Sequence, residues 1–377
     1  MNEQKNTRQI PLIKPFLPEG VKKKLWEVLE SGYLTEGEVT REFEAAVRQY
    51  VGCGHALAVT SCTTGLEMAL RCLGVGAGDE VIVPDYTYPA TADVAAIVGA
   101  RIVIVDVSRD TMLIDYDELE SAVSPRTRAV IPVSGFGNPL DWDRLSEIRE
   151  RHGIHMIEDA ACSLGAEYRG VKVGNQGDIS VFSLHPRKFV TTGEGGLVTT
   201  QDREWAEWML SYKHFGMGVQ DSRLTARFER IGSNYKMSNL LAAVGLVQME
   251  RIEELLERRL CLTQRYIDRL EGHERIAIPR TTLHGKHSRQ SFCIHIDNRD
   301  AVMNEMRERG VEAQIGTYAL HMHPAFAPSS QCRIVGELKG SRYAFDHCLA
   351  LPLYHEMTEE DQEYVVRMLL EILERKG

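Results

Sequence analysis

The strongest constraint on this chain is an alternation of short β-branched runs with stretches of helical periodicity. The runs are His55–Thr60, Glu80–Val83, Ile102–Val105, Ala129–Val133 and Ile154–Ile157. Leu66, Ala69, Leu70 and Leu73 recur at helical spacing after the first, and Ala90–Val98 and Asp141–His152 read as helices. Such alternation predicts a mostly parallel sheet covered by helices on both faces. A sheet of that kind carries ligands at the carboxyl ends of its strands.

Four strand ends carry polar groups that a buried sheet does not need. Thr60-Ser61-Cys62-Thr63-Thr64-Gly65 joins a strand to a helix. It is either a plain N-cap or an anion site, where free N–H groups, the helix dipole and hydroxyls converge. Tyr86-Thr87-Tyr88-Pro89 follows Val81–Val83, and an aromatic there either stacks on a flat ring or plugs the top of the sheet. Asp159 follows the strand G-I-H-M-I-E, directly after a second acid. Desolvation opposes ionised carboxylates, so Asp159 is either a helix cap or the partner of a cation such as a protonated pyridine nitrogen. Ile179–Leu184 is a buried run that Pro186 terminates. Strand periodicity puts Ser183 and His185 on one side, with Lys188 just beyond. The turn Thr191–Gly196 follows, where glycine lets backbone approach closely. Lys188 is either a surface lysine or a residue for Schiff-base chemistry with a carbonyl cofactor. Anion cradle, aromatic, acid and lysine together fit one ligand, pyridoxal phosphate.

The rest of the chain frames this sheet. Residues 1–17 read as an extended arm, with Pro11, Pro15 and Pro18 blocking regular structure. Helices are expected over Glu19–Ser31 and Thr40–Tyr50, and one long helical stretch over Ser238–Leu270 with Ser238 as its N-cap. A strand at Ser291–Ile296 and helices at Arg299–Arg309 and Thr358–Glu374 form a smaller α+β segment. The expected domains are therefore 1–245, the arm and large α/β domain, and 246–377, the linking helix and small domain. A net charge of −10 argues against nucleic acid as partner. No apolar run reaches the ~20 residues of a membrane helix, and the amino terminus M-N-E-Q-K-N-T-R has no apolar leader. Eight scattered cysteines without a C-x-x-C pair suggest free thiols in a reducing cytoplasm. His321-Met322-His323 supplies only half a tetrahedral metal site, so no metal is expected. Trp205 and Trp208 read as packing residues.

On these motifs the chain resembles the DegT/DnrJ/EryC1/StrS family of pyridoxal-phosphate sugar aminotransferases. The shared stretches include I-P-L-I-K-P-F, S-G-Y-L-T-E-G-E-V-T-R-E-F-E, V-P-D-Y-T-Y-P-A-T, I-E-D-A-A, G-D-I-S-V-F-S-L-H-P-R-K-F-V-T-T-G-E-G-G and G-S-N-Y-K-M-S-N-L. The resemblance implies the fold type I aminotransferase architecture, with a large mostly parallel sheet and a smaller C-terminal α+β domain. It also implies a homodimer with shared active sites. By the same resemblance Lys188 forms the Schiff base, Asp159 pairs with the pyridine nitrogen and Tyr88 lies on the ring. Thr63, Thr64 and Ser183 would hold the phosphate, Asn234 would reach in from the partner subunit, and His185 joins the catalytic set. Cys162 stands where the family usually has Gln or His toward the ring hydroxyl, and Leu241 replaces a commoner Gln. The arm and the loop 31–39 would border the substrate channel, and Tyr318 and His321, spaced Y-x-x-H, fall where the family has a Y-x-x-x-H region near the sugar.

Retention of Lys188, where a dehydrating branch has His, implies transamination. The H-P-x-K…T-T-G-E-G-G form resembles members acting at a 4-keto position. The expected reaction is a ping-pong transfer from an amino acid, by resemblance L-glutamate, to C-4 of a nucleotide-linked 4-keto-6-deoxyhexose. A 3-keto sugar or cyclitol acceptor is the alternative, and a non-catalytic regulatory or sensory protein on the same scaffold is the alternative of another class. A nucleotide diphosphate calls for cations, for which Arg187, Lys213, His214, Arg223, Arg227 and Arg230 are candidates.

Overall fold

The computed structural model describes residues 8–218 and 224–375. At its centre lies an eight-stranded sheet built from β1 (His55–Val59), β2 (Glu80–Pro84), β3 (Arg101–Val105), β4 (Thr127–Val130), β5 (His155–Asp159), β6 (Ile179–Ser183), β7 (Gly196–Thr200) and β8 (Cys332–Ile334). Their order across the sheet is β1-β7-β6-β5-β4-β2-β3-β8. Neighbours from β6 through β8 run parallel, while β7 runs antiparallel to both β1 and β6. The mostly parallel α/β sheet expected from the alternation is therefore present.

Burial on both faces explains the near-continuous apolar strands. Val81 and Val83 of β2 face one core with Leu66, Leu70, Ile104 and Val181. Ile82 faces the other with Val103, Val105, Met156 and Trp142. Successive residues of one strand thus feed opposite cores, as the period of two requires.

The expected helical stretch 238–270 is two helices, Asn239–Met249 and Ile252–Leu270, broken at Glu250–Arg251 where Arg251 leaves helical geometry (φ −119, ψ 16). Their surroundings differ. The first is buried nearly all round against helices Gly20–Ser31 and Glu38–Val51, and at Gly245 a Cβ would meet the Phe43 ring at 2.6 Å. The second is amphipathic and lays Leu262, Tyr266 and Leu270 on a separate core. A change from all-round to one-sided burial needs a change of direction.

That separate core is closed by the strands Phe292–His295, Cys348–Leu351 and Gln314–Ile315 and the helices Arg299–Glu308 and Glu359–Arg375. Ile10 of the arm enters it, hydrogen-bonded through its backbone to Gly310 and Glu312. The C-terminal segment also reaches back: β8 extends the large sheet, and Tyr318–Ala319 pairs antiparallel with Tyr86–Thr87. The division between 245 and 246 proposed from the sequence falls inside the helix Asn239–Met249. Among the described residues no helix is long and apolar enough to cross a membrane.

Candidate active site

The helix Cys62–Cys72 starts against the carboxyl ends of β5 and β6. Ser61 caps it by accepting from Thr64 N at 3.1 Å, and the Thr64 hydroxyl answers by accepting from Ser61 N at 3.1 Å. This capping box satisfies two of the terminal donors and commits the Thr64 hydroxyl, which also meets that of Thr60 at 3.1 Å. The Thr63 hydroxyl, half-buried beside it, has no hydrogen bond among the described residues. The start of β7 passes so close that a Cβ on Gly196 would meet the Ser61 carbonyl carbon at 2.5 Å. The G-E-G-G turn therefore serves close approach of backbone to this helix terminus.

The two adjacent acids part company because strand residues alternate sides. Glu158 turns to the Ser134 and Ser180 hydroxyls, and burial pushes its carboxyl up to about 7 even so. Asp159, buried, accepts from the Thr91 hydroxyl at 2.8 Å and from Ala161 N at 3.1 Å. No helix follows it, so it closes a turn rather than capping a helix. Burial raises its pKa, while Thr91, Ala161 and the Lys188 charge pull the other way; the net shift is upward. Cys62 Sγ lies 4.0 Å from its carboxylate. Among the described residues no arginine or lysine forms an ion pair with this buried acid.

Lys188 follows β6, tied by its backbone N–H to the His185 carbonyl at 2.8 Å. Its Nζ lies 3.0 Å from Cys162 Sγ, and among the described residues it has no carboxylate partner. Burial works against the charged ammonium, but the Cys162 and Cys62 sulfurs and Asp159 outweigh it, and the net shift is upward. Ser183 and His185 stand at the same strand end: the Ser183 hydroxyl accepts from His185 N at 3.3 Å, and His185 Nδ1 accepts from Arg187 N at 3.1 Å. Burial lowers the His185 pKa, which favours the neutral ring. Lysine, acid and both thiols thus gather at the strand ends, beside the start of the helix Cys62–Cys72.

The aromatic motif divides in two. Tyr86 is the buried plug, while Tyr88 is 65% exposed, its ring 6.2 Å from that of Tyr318. The Thr87 and Thr91 hydroxyls meet at 2.9 Å, which links the Tyr88 turn to Asp159. Thr91 is a site residue that the sequence reading missed, although its spacing of four from Thr87 on a helical start was a usable signal. His321 is held by Asp85, its Nδ1 2.6 Å from the carboxylate. His323 instead sets its ring edge-on to Tyr318 at 5.6 Å.

The candidate cations separate. Arg187 is exposed beside Lys188, and Arg230 pairs with Glu229 at 3.6 Å and lies over Trp208 at 5.4 Å. His214 forms a backbone bridge with Asn234, whose exposed side chain accepts from Lys236 Nζ at 2.6 Å. Among the described residues neither hydrogen-bonds to Lys188, Asp159 or Thr63. Arg223 lies outside the described residues. Lys213 is not available to a ligand: it is fully buried, 2.9 Å from Glu36, 3.1 Å from Glu44 and 3.1 Å from the Ala58 carbonyl. Lys213→Ala is expected to cost about 3 kcal/mol, because it leaves two partly buried carboxylates uncompensated. Urea unfolding would measure this, and a loss of less than about 0.5 kcal/mol, the usual range for surface substitutions, would contradict it. Trp205 and Trp208 pack against the main core.

A family model described as the DegT/DnrJ/EryC1/StrS aminotransferase family matches residues 17–370. GDP-perosamine synthase from Caulobacter vibrioides is 34% identical over 372 residues, covering 97% of this chain and 98% of its own. Among solved structures, the aminotransferase TlmJ from Streptoalloteichus hindustanus superposes with a TM-score of 0.92 at 28% identity, covering 98% of this chain and all of its own. DesV from S. venezuelae, solved in complex with a ketimine intermediate, superposes with a TM-score of 0.90 at 30% identity, covering 98% of this chain and 99% of its own.

Proposed function

The chain belongs to the DegT/DnrJ/EryC1/StrS aminotransferase family, and from that premise we propose that it moves an amino group from L-glutamate to C-4 of a nucleotide-linked 4-keto-6-deoxyhexose, with pyridoxal 5'-phosphate as cofactor. The observation that carries this reading is a mismatch of charges. Asp159 is a buried carboxylate and Lys188 an amine, neighbours in charge yet without an ion pair among the described residues, and Cys62 and Cys162 lie beside them at the strand ends, next to the start of the helix Cys62–Cys72. A buried charge ordinarily has a partner, and a ring carrying a protonated nitrogen, an aldehyde and a phosphate supplies partners for all three places. Bound there, the cofactor contributes a carbonyl carbon that carries the amino group and a ring that withdraws electrons.

The residues have distinct tasks in this proposal. Asp159, oriented by Thr91 and Ala161, would accept a hydrogen bond from the protonated ring nitrogen. Lys188 Nζ would hold the cofactor's aldehyde carbon and, once the donor's amine has displaced it, would be free to move a proton between the donor's α-carbon and that carbon. Thr63, Ser183 and the first N–H groups of the helix take the phosphate, while Thr64 keeps the helix terminus in shape. Tyr88 offers a flat face to the ring, and His185 contributes a neutral imidazole beside the lysine. Cys162 stands where the family has a longer polar side chain, and its thiol lies 3.0 Å from Lys188 Nζ. Arg187, His214, Arg223, Tyr318 and His321 border the sugar nucleotide.

A homodimer completes the site in this proposal, with Asn234 entering the partner's cleft. Phe215 (50% exposed), Leu224 (98%), Phe228 (64%) and Ile231 (97%) flank Asn234 in sequence. Exposed apolar side chains in such a group mark a surface that another protein covers.

Initial rates with L-glutamate and a panel of keto-sugar nucleotides test the function. A 4-keto substrate should give parallel double-reciprocal lines, the mark of a ping-pong exchange. Intersecting lines, or turnover only with a 3-keto sugar or a cyclitol, would contradict the reading.

A further inference from the structure

Asp85, in the turn after β2, takes no part in the chemistry above, yet it is fully buried. A buried carboxylate needs donors for its lone pairs, and three converge on this one. The His321 backbone N–H meets Oδ1 at 2.8 Å, the Ser341 hydroxyl meets Oδ2 at 2.5 Å, and His321 Nδ1 lies 2.6 Å from Oδ2. The main chain repeats the connection: Leu320 N donates to the Asp85 carbonyl at 2.9 Å, and Tyr318–Ala319 pairs with Tyr86–Thr87. His321 is therefore fixed through both its backbone and its ring.

A carboxylate can only accept, so Nδ1 of His321 bears the hydrogen. In the neutral ring Nε2 is then a bare acceptor, because the bond made by one nitrogen sets the state of the other. Among the described residues Nε2 has no partner, it is not among the sealed polar atoms, and the side chain keeps 20% of its surface exposed. It belongs to the same short segment as Tyr318, whose ring neighbours Tyr88 at 6.2 Å. From the Tyr88 turn, Thr87 and Thr91 connect onward to Asp159.

We propose that Asp85 is a positioning residue that locks His321 in the Nδ1–H tautomer, so that Nε2 accepts a hydrogen bond from a hydroxyl of the acceptor sugar. Asp85, sealed from solvent, acts only through the histidine. The identity of the hydroxyl-bearing ligand rests on the amino-transfer reading of the site; the tautomer does not.

The test combines 15N spectra of histidine-labelled protein with kinetics of Asp85→Asn, His321→Gln and the double variant. In the wild type, His321 should show the Nδ1-protonated pattern, and Asp85→Asn should weaken or reverse it. Asp85→Asn should raise KM for the sugar nucleotide about tenfold, the worth of one oriented hydrogen bond, with KM for the amino donor changing less than about twofold on that scale. In the His321→Gln background the Asp85 change should add nothing, because the two act as a unit. An Nε2-protonated His321 in the wild type, or independent multiplying effects of the two substitutions, would overturn the proposal. A wild type that turns over no keto sugar would remove the functional reading, and the wild-type spectrum would then decide the role of Asp85 alone.

Discussion

Replacing Lys188 by alanine is expected to lower kcat about 10³-fold or more while leaving the fold intact. The size follows from what the side chain does in the proposed reaction, where one amine both holds the reacting carbon and moves the proton. General acid–base catalysis alone contributes roughly 10²- to 10⁴-fold, and a lost nucleophile adds to that. The intact fold follows from the structure. Lys188 makes no ion pair among the described residues, and its Nζ touches only the Cys162 sulfur at 3.0 Å, so removing it breaks no salt bridge, and Asp159 answers the lost positive charge by shifting further toward its neutral form. Lys188→Arg should not restore activity, because a guanidinium keeps its proton. Turnover assays beside thermal melts separate the two effects. Activity within about tenfold of wild type would exclude Lys188 from the proton transfer, which general acid–base catalysis values at roughly 10²-fold or more. Lys213 provides the contrast: it is fully buried, held by two acids, and matters for stability.

The second large effect is expected at Asp159. Asp159→Asn keeps the shape and removes the charge that would hold a protonated ring nitrogen. A loss of about 10²-fold in kcat is predicted, in the range seen when one preorganised electrostatic partner is withdrawn, together with weaker cofactor binding. The fold should be retained, since the amide oxygen can accept from Ala161 N while the amide nitrogen donates to the Thr91 hydroxyl, which can turn to Thr87. Thr91→Val is the control. It keeps the charge and removes one hydrogen bond, so its kinetic effect should be far smaller. Parallel titrations of cofactor into both variants, followed by rates, check this. Equal losses in the two would mean that the carboxylate's charge is not what matters.

Much of this site was legible because its signals are local. The β-branched runs gave away the strands, and the polar groups at their ends stood against an apolar background. Lys188, Asp159 and Thr63 each sit within a few residues of a strand terminus, where topology alone brings them together. What escaped depended on partners far along the chain. Asp85 and His321 are 236 residues apart, and Lys213 lies 169 from Glu44, so neither pairing leaves a trace in local periodicity. β8 has only three residues and joins a strand more than two hundred positions earlier. The break at Glu250–Arg251 has no proline or glycine to announce it, and its cause is the different surroundings of the two helices. The two acids of I-E-D looked like one puzzle, yet their side chains answer to opposite faces of the strand.

The central claim is that Lys188 and Asp159 face one vitamin B6 cofactor in a single cleft. The most direct measurement is borohydride reduction of the cofactor-loaded protein, followed by peptide mass mapping. A yellow protein is expected whose colour bleaches on reduction and whose stable adduct maps to Lys188 alone. A label spread over exposed lysines, or held at another single lysine, would contradict it.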